Sequence, residues 1–198
     1  MRVPEWAALR WSRSDQLVLE GLLWAVPAVT ALSVLGTAVR AVRGEAIEST
    51  GYLPEQLVTA VDPVTGSLSG TVVVEDPSTA QYAWALVPGL VVVLLTLAAA
   101  MLLLGVARSL RVGEPFTVAN ARRVTSVGVL VAVGGVILPF VHSIGHHAVI
   151  EPLVPDNGSV TWVVDAAIWP VAVGLLIAFV AEVFARGARL REDVDGLV

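Results

Sequence analysis

The sequence predicts an all-α membrane protein, a four-helix transmembrane bundle with a small extracytoplasmic β-hairpin between spans one and two. Three observations carry this reading. Apolar residues make up 56% of the 198-residue chain and charged residues 15%, with a mean hydropathy of +0.81. A soluble domain carries about a quarter charged residues, so too little polar surface remains to cover a water-soluble globule. Four long apolar runs are each near the ~20 residues a helix needs to cross a hydrocarbon core. The arginines, finally, are segregated between these runs.

The first element is the polar segment 1–16, where Arg2, Arg10 and Arg13 lie beside Trp6 and Trp11. Arginine and tryptophan before an apolar run suit the headgroup layer, and a short interfacial helix is expected there. The first span covers about 17–39. Its apolar run is too long for the core of a cleaved signal peptide and no small-x-small cleavage site follows, so it reads as a retained span.

The connection 40–81 is polar and acidic, carrying Glu45, Glu48, Glu55, Asp62, Glu75 and Asp76. Leu57-Val58-Thr59-Ala60-Val61 and Thr71-Val72-Val73-Val74 have strand character. Asp62-Pro63-Val64-Thr65-Gly66 between them is turn chemistry. An isolated hairpin is marginal in water, so this one would lie on the helices or on a partner.

The second span is expected over 82–107, with Tyr82 and Trp84 at its outer interface. The third covers about 124–148 and the fourth about 162–185. Each span contains one proline (Pro27, Pro88, Pro139, Pro170), which lipid-embedded helices tolerate when neighbours satisfy the freed carbonyl. Gly128, Gly134, Gly135 and Gly174 offer small surfaces for close helix contact.

Threading follows from arginine placement. All twelve basic residues are arginine. Ten of them (Arg2, Arg10, Arg13, Arg108, Arg111, Arg122, Arg123, Arg186, Arg189, Arg191) fall on one side of a four-span chain, and Arg40 and Arg43 on the other. Positive residues are retained in the cytoplasm. The connector 108–123 and the tail 186–198 are therefore expected inside with both termini, and the hairpin outside. The whole chain is read as one integral membrane domain.

The inner connector, Gly113-Glu114-Pro115-Phe116-Thr117 followed by Asn120-Ala121-Arg122-Arg123, reads as a chain break and then a capped helix, with Thr117 as the N-cap. Phe116 suits the interface, and Arg122 and Arg123 suit lipid phosphates. The stretch is expected either to set topology only or to dock a cytoplasmic partner.

His142-Ser143-Ile144-Gly145-His146-His147 holds all three histidines of the chain. Pro139, His142 and His146 share one helical face. His142 and Asp165 lie at similar depth in antiparallel spans, so their side chains are expected within reach of one another. Three readings compete: structural interface histidines, an outward-facing proton-sensing His–Asp pair, and a divalent metal site. A carboxylate beside an imidazole favours its charged form. The metal site would use His142, His146 and a carboxylate from Asp165 or Glu151, with His147 adjacent, a donor set that suits zinc and similar ions. Glu182 and Arg186 are spaced as an i, i+4 ion pair. There is no cysteine, which excludes disulfides and thiolate metal centres. The net charge of −5 gives no basic face for nucleic acid. No phosphate loop, nucleophile–base pair or dinucleotide fingerprint is present, so no enzymatic activity and no cofactor are expected outside the zinc alternative.

Two stretches together resemble a known family. Gly113-Glu114-Pro115-Phe116 with Asn120-Ala121-Arg122-Arg123-Val124 and Gly128 is similar to the signature between spans two and three of an uncharacterised bacterial membrane family, domain of unknown function 2975. Glu182-Val183-Phe184-Ala185-Arg186-Gly187 with Leu190-Arg191-Glu192-Asp193-Val194-Asp195 is similar to its C-terminal signature. The family's tail closes on an acidic residue, Leu-Thr and an aliphatic residue. Here Asp195 is followed by Gly196-Leu197-Val198, without the threonine. The resemblance implies a bacterial inner-membrane location and, because members are often encoded beside a small helix-turn-helix regulator, a membrane partner of such a transcription factor. Gly113, Pro115, Phe116, Asn120, Arg122, Arg123, Phe184, Gly187 and Leu190 would then form the partner- or lipid-contacting surface. A non-enzymatic sensor or regulator is the leading expectation. A small transporter or channel subunit, which would be a homo-oligomer, and a metal-dependent membrane enzyme are the alternatives.

Overall fold

In hydrocarbon an unpaired backbone amide has no water to turn to, so long apolar runs satisfy themselves as helices. The computed structural model of the chain describes residues 13–53, 69–112, 117–154 and 162–195. It contains four long helices, α1 (Arg13–Arg43), α2 (Thr79–Val112), α3 (Val118–Ile150) and α4 (Trp169–Asp195), with strands β1 (Ile47–Tyr52) and β2 (Ser69–Val74) between the first two. Each helix holds a segment long and apolar enough to span a membrane: Leu17–Arg43, Thr79–Ser109, Val118–Leu153 and Trp169–Gly187. Large apolar side chains cover their outer surfaces; Val29 and Leu32 of α1 and Phe179 of α4 are each 67% exposed. Lipid is the medium in which such a surface is stable, and the chain is a multi-pass integral membrane protein. Several hydroxyls on these helices return their protons to their own backbone, as Thr30 Oγ1 does to Val26 O and Thr96 Oγ1 to Val92 O.

Packing follows chain order: α1 lies on α2, α2 on α3 and α3 on α4. The α2–α3 pair is an antiparallel hairpin, with Gln81 beside Val149, Leu95 beside Gly134 and Gly105 beside Arg123. The α3–α4 contact brings backbones together. A Cβ on Gly128 would lie 2.7 Å from Gly174 O, and one on Gly174 would lie 2.5 Å from Gly128 O. Gly128, Ala132 and Gly135 recur at helical spacing on α3 and meet Gly174 and Pro170 of α4. Small residues at helix spacing are what lets lipid-embedded helices gain dispersion contact. The expected use of Gly128, Gly134, Gly135 and Gly174 is observed.

At one end of the helices the two strands pair antiparallel, from Ile47 opposite Val74 to Tyr52 opposite Ser69. Ile47, Val74, Tyr82 and Val149 form a buried cluster that seats this sheet on α2 and α3. Tyr82, expected at an interface, is buried beneath the sheet and donates its hydroxyl to Glu45 O at 2.5 Å. Ser78 and Gln81 form a capping box at the start of α2: Gln81 Oε1 accepts from Ser78 N at 2.8 Å, and Gln81 N donates to Ser78 Oγ. The spare amide proton of Gln81 reaches Val149 O of α3 at 2.8 Å.

Three expectations change. Among the described residues Thr71–Val74 pairs with Ile47–Tyr52; the expected strand 57–61 and turn 62–66 lie outside those residues. Ile47 of this strand points into the Tyr82–Val149 cluster. The fourth helix begins at Trp169 rather than 162, and residues 162–167 are non-helical. There Pro170 occupies the first helical turn, where a missing N–H costs nothing, and Ser143 Oγ of α3 donates to Val163 O at 3.0 Å, fixing the segment before it. The helices also outrun the expected spans, leaving only residues 113–117 between α2 and α3. The expected interfacial helix over 1–16 falls largely on residues outside those described.

Substituting Gly128 with alanine forces the α3–α4 backbones apart, and thermal unfolding in detergent should show a loss of about 1–3 kcal/mol, the usual cost of overpacking. Gly36→Ala, where a Cβ meets nothing, should stay within about 0.5 kcal/mol of wild type. Equal melting of the two variants would contradict the packing described.

Candidate functional site

The late start of α4 leaves a cavity of about 640 Å³ at the sheet-side half of the molecule. Its floor is one face of α3, with Val131, Gly135, Leu138 and His142 at helical spacing. Leu95, Thr96 and Ala99 of α2 form one wall, and Val163, Asp165 and Trp169 the other. Thr50 to Tyr52 of β1 close the sheet end. The volume falls in the usual range for small-molecule sites, about 300–1,000 Å³, and the lining follows their pattern of apolar walls with few polar groups.

The three histidines have separate surroundings. His146 brackets β1: Nε2 lies 3.1 Å from Tyr52 O and Nδ1 2.7 Å from Ser49 Oγ. A carbonyl only accepts, so Nε2 carries a proton, and in the neutral ring Nδ1 accepts from the Ser49 hydroxyl. Gly51 lies under this ring, where a Cβ would come within 2.5 Å of it. His147 stacks on Trp162, centroids 4.1 Å apart, and its Nδ1 lies 3.7 Å from Glu151 Oε2. His142 lines the cavity together with Asp165, but no ion pair joins them, so the expected His–Asp pair is not formed. The expected ligand set of His142, His146 and Asp165 or Glu151 is likewise not assembled. Glu151 serves His147, and both ring nitrogens of His146 are taken by β1. Among the described residues no group of three His, Asp or Glu is placed to hold a metal ion.

At the opposite end, Thr117 caps α3 as expected, accepting from Asn120 N at 3.2 Å. The residues expected at a partner- or lipid-contacting surface divide. Asn120 is fully buried. Its Nδ2 donates to Ser109 Oγ of α2, and its Oδ1 accepts from Arg123 Nη1 at 2.9 Å. Arg123 turns inward across Gly105 and donates to Gly105 O at 3.1 Å. Both therefore clamp α3 to α2, because the Gly105 carbonyl and the Ser109 hydroxyl of α2 lie within hydrogen-bond reach. Arg122 is exposed. On α4, Phe184 and Gly187 are half-buried near the exposed Glu182–Arg186 pair, which forms at 3.0 Å as expected. Leu190 lies on the last turns of α4. Gly113, Pro115 and Phe116 lie outside the described residues.

Sequence reading missed the Ser78–Gln81 box, though Ser-x-x-Gln before an apolar run is a start signal. It also missed the cavity, which depends on a tertiary contact, Ser143 to Val163, that no local pattern announces.

Replacing His146 with leucine removes both hydrogen bonds to β1. Amide exchange of β1 should accelerate by the equivalent of about 1–3 kcal/mol while α3 and α4 amides stay protected; unchanged β1 exchange would refute the bracket. Asn120→Leu strands Ser109 and Arg123 without their partner, and should lower detergent-phase stability by about 1–2 kcal/mol, the scale of interhelical hydrogen bonds in membranes. Arg122→Leu should leave it unchanged in the same thermal assay.

A family model described as "Protein of unknown function (DUF2975)" matches residues 71–198. No curated protein and no solved structure matches the chain. The matched region runs from β2 through the Asn120–Arg123 clamp and the cavity to the end of α4, well over half of the sequence, and the chain belongs to this family of unknown function.

Proposed function

We propose that this integral membrane protein is a non-enzymatic sensor. It takes a hydrophobic small molecule into the cavity between α2, α3 and residues 163–170, and a helix-turn-helix regulator reads the result at the other end of the helices. The observation that carries this reading is the cavity itself. It is large, apolar over most of its wall, and polar at the sheet end, where His142, Ser143 and Asp165 line it. The arginine bias supports placing the sheet outside the cell and the connector and tail in the cytoplasm of a bacterial inner membrane.

The packing supplies a route. α3 is at once the cavity floor, the glycine-faced neighbour of α4, and the carrier of the Asn120–Arg123 clamp. A ligand wedged between α2 and residues 163–170 bears on the Leu95–Gly134 and Pro170–Gly135 contacts. The resulting tilt of α4 against α3 would be felt at the Glu182–Arg186 end. A ligand shifts such an equilibrium only by its difference in affinity for the two arrangements, and a coupling of about 1–3 kcal/mol is typical.

Capture of a helix-turn-helix regulator by the intact chain in detergent tests this reading. Capture should disappear when residues 186–198 are deleted, and should change severalfold when the cavity is filled by Ala99→Phe but not when lipid-facing Val129 becomes phenylalanine. Absence of capture, or capture indifferent to Ala99→Phe, would overturn it.

A further inference from the structure

Resting on the reading of the cavity as a ligand site, we infer that its ligand is a lipophilic cation, an apolar body carrying an amine, quaternary ammonium or similar positive centre. The larger cavity does not stand alone. A second cavity of about 280 Å³ lies between α1, α2 and β1, and Thr50, His142 and His146 line both. The two spaces are thus divided by one thin wall. The smaller is the more polar, with Ser33, Thr37, Glu48 and Ser49 among its lining residues.

The charges around this pair of cavities have one sign. Asp165 lines the larger and Glu48 the smaller, and among the described residues no arginine lines either. Neither acid has a salt bridge or hydrogen bond to another described residue. Both acids are exposed to the cavities they line, so a cationic guest meets their charge without displacing a described basic residue. Of the histidines, His146 is held by β1 and His147 by Trp162 and Glu151. His142 is left to accept a hydrogen bond from an ammonium N–H. Tyr52 and Trp169 line the larger cavity and Trp84 the smaller, and aromatic faces attract cations further. An anionic amphiphile would find two carboxylates and no fixed positive charge. A neutral acyl chain would use the walls and leave both acids unpaired.

A pair of probes with the same shape and opposite charge decides the matter. Tetraphenylphosphonium and tetraphenylborate are titrated into the full chain in a neutral sugar-detergent micelle, reading tryptophan fluorescence against empty micelles and against Ala99→Phe. The expected result is phosphonium binding about tenfold or more tighter than borate, a preference worth ~1.4 kcal/mol per factor of ten. Ala99→Phe should abolish it. Asp165→Asn with Glu48→Gln should erase the preference while the melting temperature holds, since both acids are exposed. Displacement of bound phosphonium by phosphatidylcholine would assign the cation to a lipid headgroup, and displacement by dodecylamine alone would assign it to a free amine; both uphold the inference. Borate binding as well as phosphonium, sensitive to Ala99→Phe, would keep the cavity as a ligand site and overturn its charge preference. Failure of both probes to bind in an Ala99→Phe-sensitive way would overturn the ligand-site reading as well.

Discussion

Lipid removes the force that holds most proteins together. Apolar side chains gain nothing by leaving hydrocarbon for a neighbouring helix, so helices must adhere through close shape and through hydrogen bonds. This chain supplies both on α3. Along one face, glycine backbone meets glycine backbone at Gly128 and Gly174. At one end, Asn120 and Arg123 reach across to Ser109 and Gly105, and at the other Val149 O receives the amide of Gln81. The stretch 117–128 thereby gains a physical meaning: the Thr117 cap, the Asn120–Arg123 clamp and the Gly128 contact each serve to fix α3.

The same requirement explains why the sheet end is ordered differently from a simple loop. A two-stranded sheet has little stability of its own. Here Ile47 and Val74 are pressed onto Tyr82 and Val149, and His146 holds β1 at two points. The cavity exists because residues 162–167 are fixed in a non-helical course by Ser143 before α4 starts at Trp169. A helix continued over those residues would have packed its side chains where the opening now lies.

Much of this was legible in the sequence and some was not. The four spans, the Thr117 cap, the Glu182–Arg186 pair and the small-residue contacts follow from hydrophobic length, local spacing and residue size, which are properties of short stretches. The fate of Asn120 and Arg123 was misread, since a polar residue near a membrane boundary looks the same whether it faces lipid phosphate or a neighbouring helix. The strand Ile47–Tyr52 was missed for a similar reason. Ile47–Tyr52 is seated by the Tyr82–Val149 cluster, a long-range contact that its own short stretch does not announce. His142 and Asp165 line a common cavity with no ion pair between them.

The fold of residues 162–170 is the point on which the cavity stands, and it is open to direct measurement because the chain has no cysteine of its own. Single spin labels at each of these positions, read for lipid and water accessibility in bilayers, report the local period. Accessibility with no helical period over 162–168, high at each of 165–168, and turning helical from Trp169 is the outcome expected. A period of 3.6 residues running unbroken from position 162 would mean that a helix fills this space, and the site described above would not exist.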